Sequence, residues 1–418
     1  VMSMKPSEVC LDTVMEMLSL SIVDIAKKDR LGRTFLHCMM MNEKLHEKEI
    51  MLPIVAKVIQ MGGSLNAHYY MRWTPLMAFV GEMVLTVDTM ECLLVLLSMP
   101  TVDIHGTSLL SSLLANYNLH RTLITNNMKD LLLPIVSKIL KLGGSLSGGD
   151  ACDYTPLMMY ARRMQSTLSH LECFLELLSM PTANVKVRGE FGLTLLHTIL
   201  RHENLCSGSH IKDIFRPLVS RVIELGGNLE DIDHDNITPL MGYVRSMQPN
   251  VDTMEYLLEL ISMNPMLDVT RKVGYEKRTL LHFLMEKDHR LLYSVPQVKD
   301  ITITIVRKII ELGGSLSIKD SSQICSETPL EILKRNGAPV DFIMLLEQLE
   351  PKSLSGNQHG GKLSSKRPRS PRPHRPARVQ PRHRAHRAAR ARPVVFCRHR
   401  PRRRSSGSHS ANAAQPEV

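Results

Sequence analysis

Apolar and polar positions follow a helical pattern in short amphipathic stretches, which are punctuated by Gly, Pro and Thr at regular intervals. Four stretches are of one kind: LPIVAKVIQM, LPIVSKILKL, RPLVSRVIEL and TIVRKIIEL. Each runs into a pair of glycines followed by Ser or Asn and then Leu, at Gly62, Gly143, Gly226 and Gly313, with steps of 81, 83 and 87 residues. A second kind reads MECLLVLLSMP, LECFLELLSMP or MEYLLELISMNP and stops at Pro. Thr-Pro-Leu follows each glycine pair, at Thr74, Thr155, Thr238 and Thr328, and Thr-x-Leu strings interleave at Thr34, Thr107, Thr194 and Thr279. The Thr-to-Thr steps are 40, 33, 48, 39, 44, 41 and 49. The unit is therefore one helix pair, and two kinds of pair alternate.

The chemistry at each Thr predicts a helix start. A Thr hydroxyl can accept a hydrogen bond from a free first-turn amide, and Pro75, Pro156, Pro239 and Pro329 occupy the next position, where no amide bond is lost. The paired glycines predict a C-terminal stop that needs positive φ. Helix, loop, helix and extended finger recur eight times, after a partial copy, LDTVMEMLSLSIVDI. The surplus length falls between the two helices of alternate units, in NEKLHEKE, LHRTLITNNMKD, HENLCSGSHIKD and EKDHRLLYSVPQVKD, and is expected to form loops along one edge.

These strings resemble the ankyrin-repeat family, whose units open on T-P-L-H and close on Gly-Ala or Gly-Gly before a β-hairpin finger. The resemblance covers roughly residues 10–350 and is strongest as an eightfold register. It implies an all-α, ankyrin-type helix-loop-helix repeat solenoid with short β-hairpin fingers. Three parts are expected: a partial repeat over 1–33, about eight repeats over 34–350 and a disordered tail over 351–418. Departures from the family are the longer units and the replacement of its His by Leu110, Met or Glu in several repeats. His37, His197 and His282 stand at the matching position, where the resemblance implies structural hydrogen bonds between helix and finger.

Charge becomes informative once divided along the chain. The overall net charge is +11, but residues 351–418 hold 18 Lys or Arg against one acid, Glu417, a net +17, which leaves −6 for the rest. The tail contains 15 Arg and little apolar pattern, and is expected to be disordered. Within it Lys366, Arg367 and Arg369 form a basic cluster of the nuclear-import kind. Non-specific, salt-sensitive RNA or DNA binding through the tail, a merely solvated tail and a misassigned reading frame all remain open.

The fingers carry charge as well. Those leading into Thr-x-Leu units are mostly basic, with Lys27, Lys28, Arg30 and Arg33, then Lys186 and Arg188, then Arg271, Lys272, Lys277 and Arg278. Those leading into Thr-Pro-Leu units are acidic or aromatic, with Tyr69, Tyr70 and Trp73, then Asp150, Asp153 and Tyr154, then Glu230, Asp231, Asp233 and Asp235. The resemblance implies that finger tips and inner helices contact the partner. Tyr69, Tyr70, Trp73, Tyr154, Asp233, Asp235, Arg271, Lys272, Lys277 and Arg278 are thus the candidate contact residues, with Trp73 open to a half-buried structural role instead.

Other chemistry is poorly supported. No phosphate-cradling Gly loop, HExxH or GxSxG occurs, so no enzymatic activity is expected. Asp231, Asp233 and Asp235 have the spacing of a calcium loop, yet Asn236 and Gly242 stand where such a loop needs Gly and Glu. The 26 Met fall mostly at helical core spacing and read as gap-fillers. The eight Cys form no CxxC pair and read as reduced thiols. No apolar run approaches the roughly 20 residues that span a bilayer, and no leader pattern opens the chain, which begins at Val1 in what already reads as mid-repeat sequence. A monomer in the cytosol or nucleus is expected, without cofactor, metal or membrane contact, acting as a scaffold for an unidentified protein partner.

Overall fold

The computed structural model describes residues 8–20, 24–104, 108–122, 128–149, 153–202, 211–264, 267–287, 289–321 and 326–350. The chain divides into two units, Val1–Ser353 and Leu354–Val418. The second, with Lys366, Arg367 and Arg369, lies outside the described residues.

The first unit is built almost entirely from helices. After a leading helix, Glu8–Ser19, eight helix pairs follow, here numbered as repeats 1 to 8. Their first helices are Phe35–Met40, Pro75–Glu82, Leu109–Leu114, Pro156–Arg163, Leu195–Leu200, Pro239–Ser246, Leu280–Met285 and Pro329–Arg335. Their second helices are Lys48–Gln60, Val87–Leu96, Met128–Lys141, Leu168–Leu178, Arg216–Glu224, Val251–Met263, Pro296–Glu311 and Val340–Glu347. First helices pack on first helices of the next repeat in an unbroken row. The second helices form another row that the leading helix joins at repeat 1 and that runs to repeat 7, with the turn Ile211–Phe215 making the packing contact between repeats 5 and 6. The first helices of repeats 2 to 7 each lie between two neighbours, and that of repeat 5 is apolar nearly all round: every residue of Leu195–Leu200 is buried.

Thr starts and Gly stops behave as their chemistry requires. In repeats 2, 4, 6 and 8 the hydroxyls of Thr74, Thr155, Thr238 and Thr328 accept from the amides of Met77, Met158, Met241 and Glu331 at 3.2–3.3 Å. After the long second helices of repeats 1, 3, 5 and 7, the first glycine of each pair takes φ between 90° and 94°. The amide of the second donates to the carbonyl five residues back, as Gly63 does to Val58 at 2.8 Å. A Cβ on Gly63 would lie 2.5 Å from Cγ1 of Val58, so the first glycine serves conformation and the second close approach.

Two expectations are revised. The insertions of repeats 1, 3, 5 and 7 are not simple edge loops, because they contain the helical turns Glu43–Leu45, Tyr117–Thr122, Ile211–Phe215 and His289–Ser294. Leu45, Leu119, Phe215 and Leu292 from these turns are fully buried, so burial of apolar groups orders the extra chain. The second helices of repeats 1 and 3 also begin earlier than the amphipathic strings suggest and run through Pro53 and Pro134. The fingers contribute little sheet, as short hairpins should: the one isolated β-bridge among the described residues joins Val273 and Arg278.

Candidate functional site: the finger row

Where the fingers are described, each returns the chain toward the next helix through a turn. A hydrogen bond closes it: Asp29 N–H to Arg33 O (2.9 Å), Tyr69 to Trp73 (3.1 Å), Gly189 to Leu193 (2.7 Å), Asp233 to Ile237 (3.1 Å) and Asp320 to Glu327 (2.9 Å). The residue two before Thr is left-handed in six fingers: Gly32, Arg72, Asp153, Gly192, Asn236 and Lys277. In these turns the chain reverses with that residue at positive φ, whatever side chain stands there.

The three repeated histidines fasten finger to helix. His197 is fully buried, and its Nδ1 accepts from the Thr194 amide at 3.1 Å and lies 2.9 Å from the Thr194 hydroxyl. Its Nε2 then donates to the carbonyl of Ile237 (2.9 Å), the residue just before the next capping Thr. His37 repeats this with Thr34 and Trp73 O, and His282 with Thr279 and Glu327 O. Burial holds all three imidazoles below the ordinary histidine range, so they stay neutral, as the accepting Nδ1 requires.

The alternating finger charges meet each other. Arg188 of the finger entering repeat 5 pairs with Asp231 of the next (3.0 Å), Arg271 pairs with Glu230 (3.1 Å) and Arg278 with Asp320 (3.3 Å). Arg201 reaches Asp233 at 2.7 Å, and Asp233 also accepts from the amides of Asp235 and Ile237 at 2.9 and 2.8 Å. Burial raises the Glu230 carboxyl above its usual range, and Arg271 opposes that shift. In the fingers entering repeats 5 to 8, basic and acidic neighbours therefore complement one another, a use the sequence pattern alone does not reveal.

This sorts the candidate contact residues. Asp233 is buried, and Arg271 and Arg278 are half-buried in ion pairs, so all three are committed inside the array. Trp73 and Tyr69 are half-buried; Tyr69 packs edge-on against His37 with ring centroids 4.9 Å apart. Tyr154 is half-buried beneath Arg162, whose guanidinium carbon lies 4.6 Å from the ring centroid. Tyr70, Asp235, Lys272 and Lys277 are exposed. Of the three aspartates with calcium-loop spacing, Asp233 spends its carboxylate on Arg201 and the turn amides and Asp231 pairs with Arg188.

Three residues escaped the sequence reading. Leu31, Phe191 and Tyr275 stand on finger tips with 64, 60 and 97 % of their surface exposed, alongside Tyr70 at 71 %. All four lie three or four residues before a capping Thr, and that shared register was the available signal. No described helix is long and apolar enough to cross a membrane.

No protein-family model matches the chain, and neither does any curated protein. Among solved structures it is similar to the ankyrin repeat domain of Bcl-3, a member of the IkappaB protein family, at 17 % identity and a TM-score of 0.37, over 76 % of this chain and 99 % of that one. It is also similar to a chain in the complex of the Bd0816 predatory endopeptidase from Bdellovibrio bacteriovorus with immunity protein Bd3460, at 18 % identity and a TM-score of 0.37, over 55 and 96 % of the two chains. Likeness this distant carries no argument, whereas the Thr caps, the histidines that tie the first helices of repeats 1, 5 and 7 to the following finger and the glycine stops recur within this chain. By that repeated geometry, its eight stacked helix pairs form an ankyrin-type repeat solenoid.

Proposed function

We propose that this chain is a non-enzymatic scaffold that binds another protein through its finger row and the adjoining first helices, the concave face that the ankyrin resemblance implies. One observation carries the reading: large apolar side chains exposed on the fingers recur at two adjacent positions, three residues before a capping Thr at Leu31 and Phe191 and four before at Tyr70 and Tyr275. Scattered exposed apolar residues need no explanation, but a repeated set on one edge marks a surface awaiting a partner. The capping histidines weigh against chemistry at this edge. Both ring nitrogens of each are committed to backbone and Thr groups, and catalysis needs a base and a nucleophile converging on one pocket.

The experiment is a nuclease-treated pull-down from cell lysate with mass spectrometry, comparing the full chain with a chain ending at residue 350. The expected result is a shared, specific protein partner on both, lost when Tyr70 and Tyr275 are changed to Ala together. Failure of the shorter chain to retain any specific partner would overturn the scaffold reading. A second reading, a nuclear protein associating with nucleic acid, draws on the net +17 of residues 351–418. Capture by the full chain alone, abolished by nuclease, would favour it.

A further inference from the structure

The fingers entering repeats 5 to 8 are joined tip to tip by backbone hydrogen bonds. His234 N–H donates to Phe191 O (2.8 Å), Gly274 N–H to Asp235 O (3.1 Å) and Ser321 N–H to Glu276 O (2.6 Å). Each tip is thereby held by the next, and whatever stands on this edge is preorganised. Phe191 stands there with φ of 57°, and Tyr275 stands there almost wholly in solvent. A bulky residue at positive φ is strained, and exposing its ring returns nothing to the free chain. Strain and exposure coincide on an edge that is otherwise tightly bonded.

The charges on this edge narrow the choice of partner. The arginines are largely spent on neighbouring fingers, as described above. Lys272 and Lys277, flanking Tyr275 in sequence, are exposed and lie outside those pairs. Asp235 and Glu276 are exposed on the same edge, although Glu276 is 2.8 Å from Arg278. A nucleic acid, with a charge on every nucleotide, would have to pass over these carboxylates. A peptide can place discrete acidic residues against the lysines and apolar ones against the rings.

We infer that the linked tips of fingers 5 to 8 form a docking edge for an extended acidic segment of a partner protein, whose apolar or aromatic side chains seat on Phe191 and Tyr275 while its carboxylates meet Lys272 and Lys277. This rests on the scaffold reading and adds to it the chemistry of the partner.

The test uses the full chain and fluorescently labelled peptides of about a dozen residues in four compositions: acidic with aromatics, acidic without aromatics, basic with aromatics and neutral with aromatics. A uridine oligonucleotide serves as the nucleic-acid probe. Anisotropy titrations are expected to show the acidic aromatic peptide bound most tightly. Phe191→Gly, which suits positive φ, Tyr275→Ala and the pair Lys272→Glu with Lys277→Glu should each weaken it about tenfold. Tyr275→Phe should retain binding, and thermal melts should show every variant folded. Because the basic tail can also attract acidic peptides, Tyr275→benzoylphenylalanine provides a photo-crosslink that reports the position of the bound peptide. Undiminished binding to all the fingertip variants, or crosslinks absent at position 275, would overturn the docking edge. So would fingertip variants that lower oligonucleotide binding instead. Should partner capture by the chain ending at residue 350 survive these same variants, the scaffold reading stands and only the docking edge falls.

Discussion

A single imidazole joins one repeat to the next. His197 satisfies the Thr194 amide and the Ile237 carbonyl at once, so His197→Ala leaves both without that partner in a buried setting and opens a cavity. The cost should be about 2–4 kcal/mol, read as a lower urea midpoint. Unchanged stability would mean that water replaces the ring without loss. Lys277 presents the opposite case, with φ of 50° and an exposed side chain. A non-glycine residue in this conformation costs roughly 1–2 kcal/mol, of which glycine returns part to the more flexible unfolded chain. Lys277→Gly should therefore stabilise by about 0.5–1 kcal/mol, and a loss of stability in the same urea titration would show that the Lys stem packs usefully. At this scale the sequence was easily read where side chain and backbone need coincide, as at the Thr caps and paired glycines. It was silent at Arg72, Phe191 and Lys277, where the turn imposes a conformation that the residue type disfavours.

Between elements, one buried aromatic layer recurs at three interfaces with different titratable content. Between repeats 1 and 2 it holds His46 against Phe79, ring centroids 4.7 Å apart. Between repeats 5 and 6 it holds Phe215 against Tyr243 at 5.9 Å. Between repeats 3 and 4, His120 stacks on His170 at 5.4 Å with Tyr160 beside both. Burial first, and then the neighbouring His170, Arg163 and His202, push His120 down to about 3, and burial pushes His170 down to about 4. Both folded values lie below the 6.5 of an exposed imidazole, so the unfolded chain takes up protons first as pH falls. The stability they contribute is complete above about pH 6.5 and is lost as pH drops from there toward 4. The loss should approach roughly 1.4 kcal/mol per pH unit for each histidine in that window. His170→Thr, the residue found at the matching helix positions Thr89 and Thr253, should flatten the fall in melting temperature between pH 7 and 5. An unchanged slope would place the acid sensitivity elsewhere. The helices themselves were legible from their amphipathic strings, but the insertions were not, because Leu45, Leu119 and Leu292 are recognised as core only once a neighbouring repeat covers them.

Over the whole array, stability is a sum of repeats and the interfaces between them, so the ends should open first. The last helix leaves Val340, Met344 and Leu345 exposed and the leading helix leaves Met17 exposed, whereas the first helices of repeats 5 and 6 are buried along most of their length. Hydrogen exchange should accordingly be slowest in Leu195–Leu200 and Pro239–Ser246 and fastest in Glu8–Ser19 and Val340–Glu347. Uniform protection would instead indicate one cooperative unit. Ion pairs knit the second helices of repeats 1 and 2, 3 and 4, and 5 and 6: Lys48 to Glu91 at 2.6 Å, Lys129 to Glu176 at 3.5 Å and Arg216 to Glu259 at 2.7 Å. These partly exposed pairs contribute little to stability, but they follow the same two-repeat period as the sequence strings.

The sequence by itself determined the two helices of each repeat, their Thr starts and glycine stops, the eightfold register and the alternation of two repeat kinds, because each follows from residues close together in the chain. The helical turns in the insertions and the early starts of two second helices were not determined this way. Helix periodicity, a capping hydroxyl and a glycine at positive φ are local requirements, and local requirements can be read from neighbours in sequence. Only the tertiary structure decided the use of the charged and aromatic finger residues. Arg188 meets Asp231 some 43 residues away, His197 meets Ile237 some 40 away, and the tip carrying Phe191 bonds to the tip carrying His234. Whether a side chain is committed inside the array or left for a partner depends on what the next repeat brings beside it. Stacking settled that Asp233, Arg271 and Arg278 are held within the fold while Tyr70 and Tyr275 face solvent.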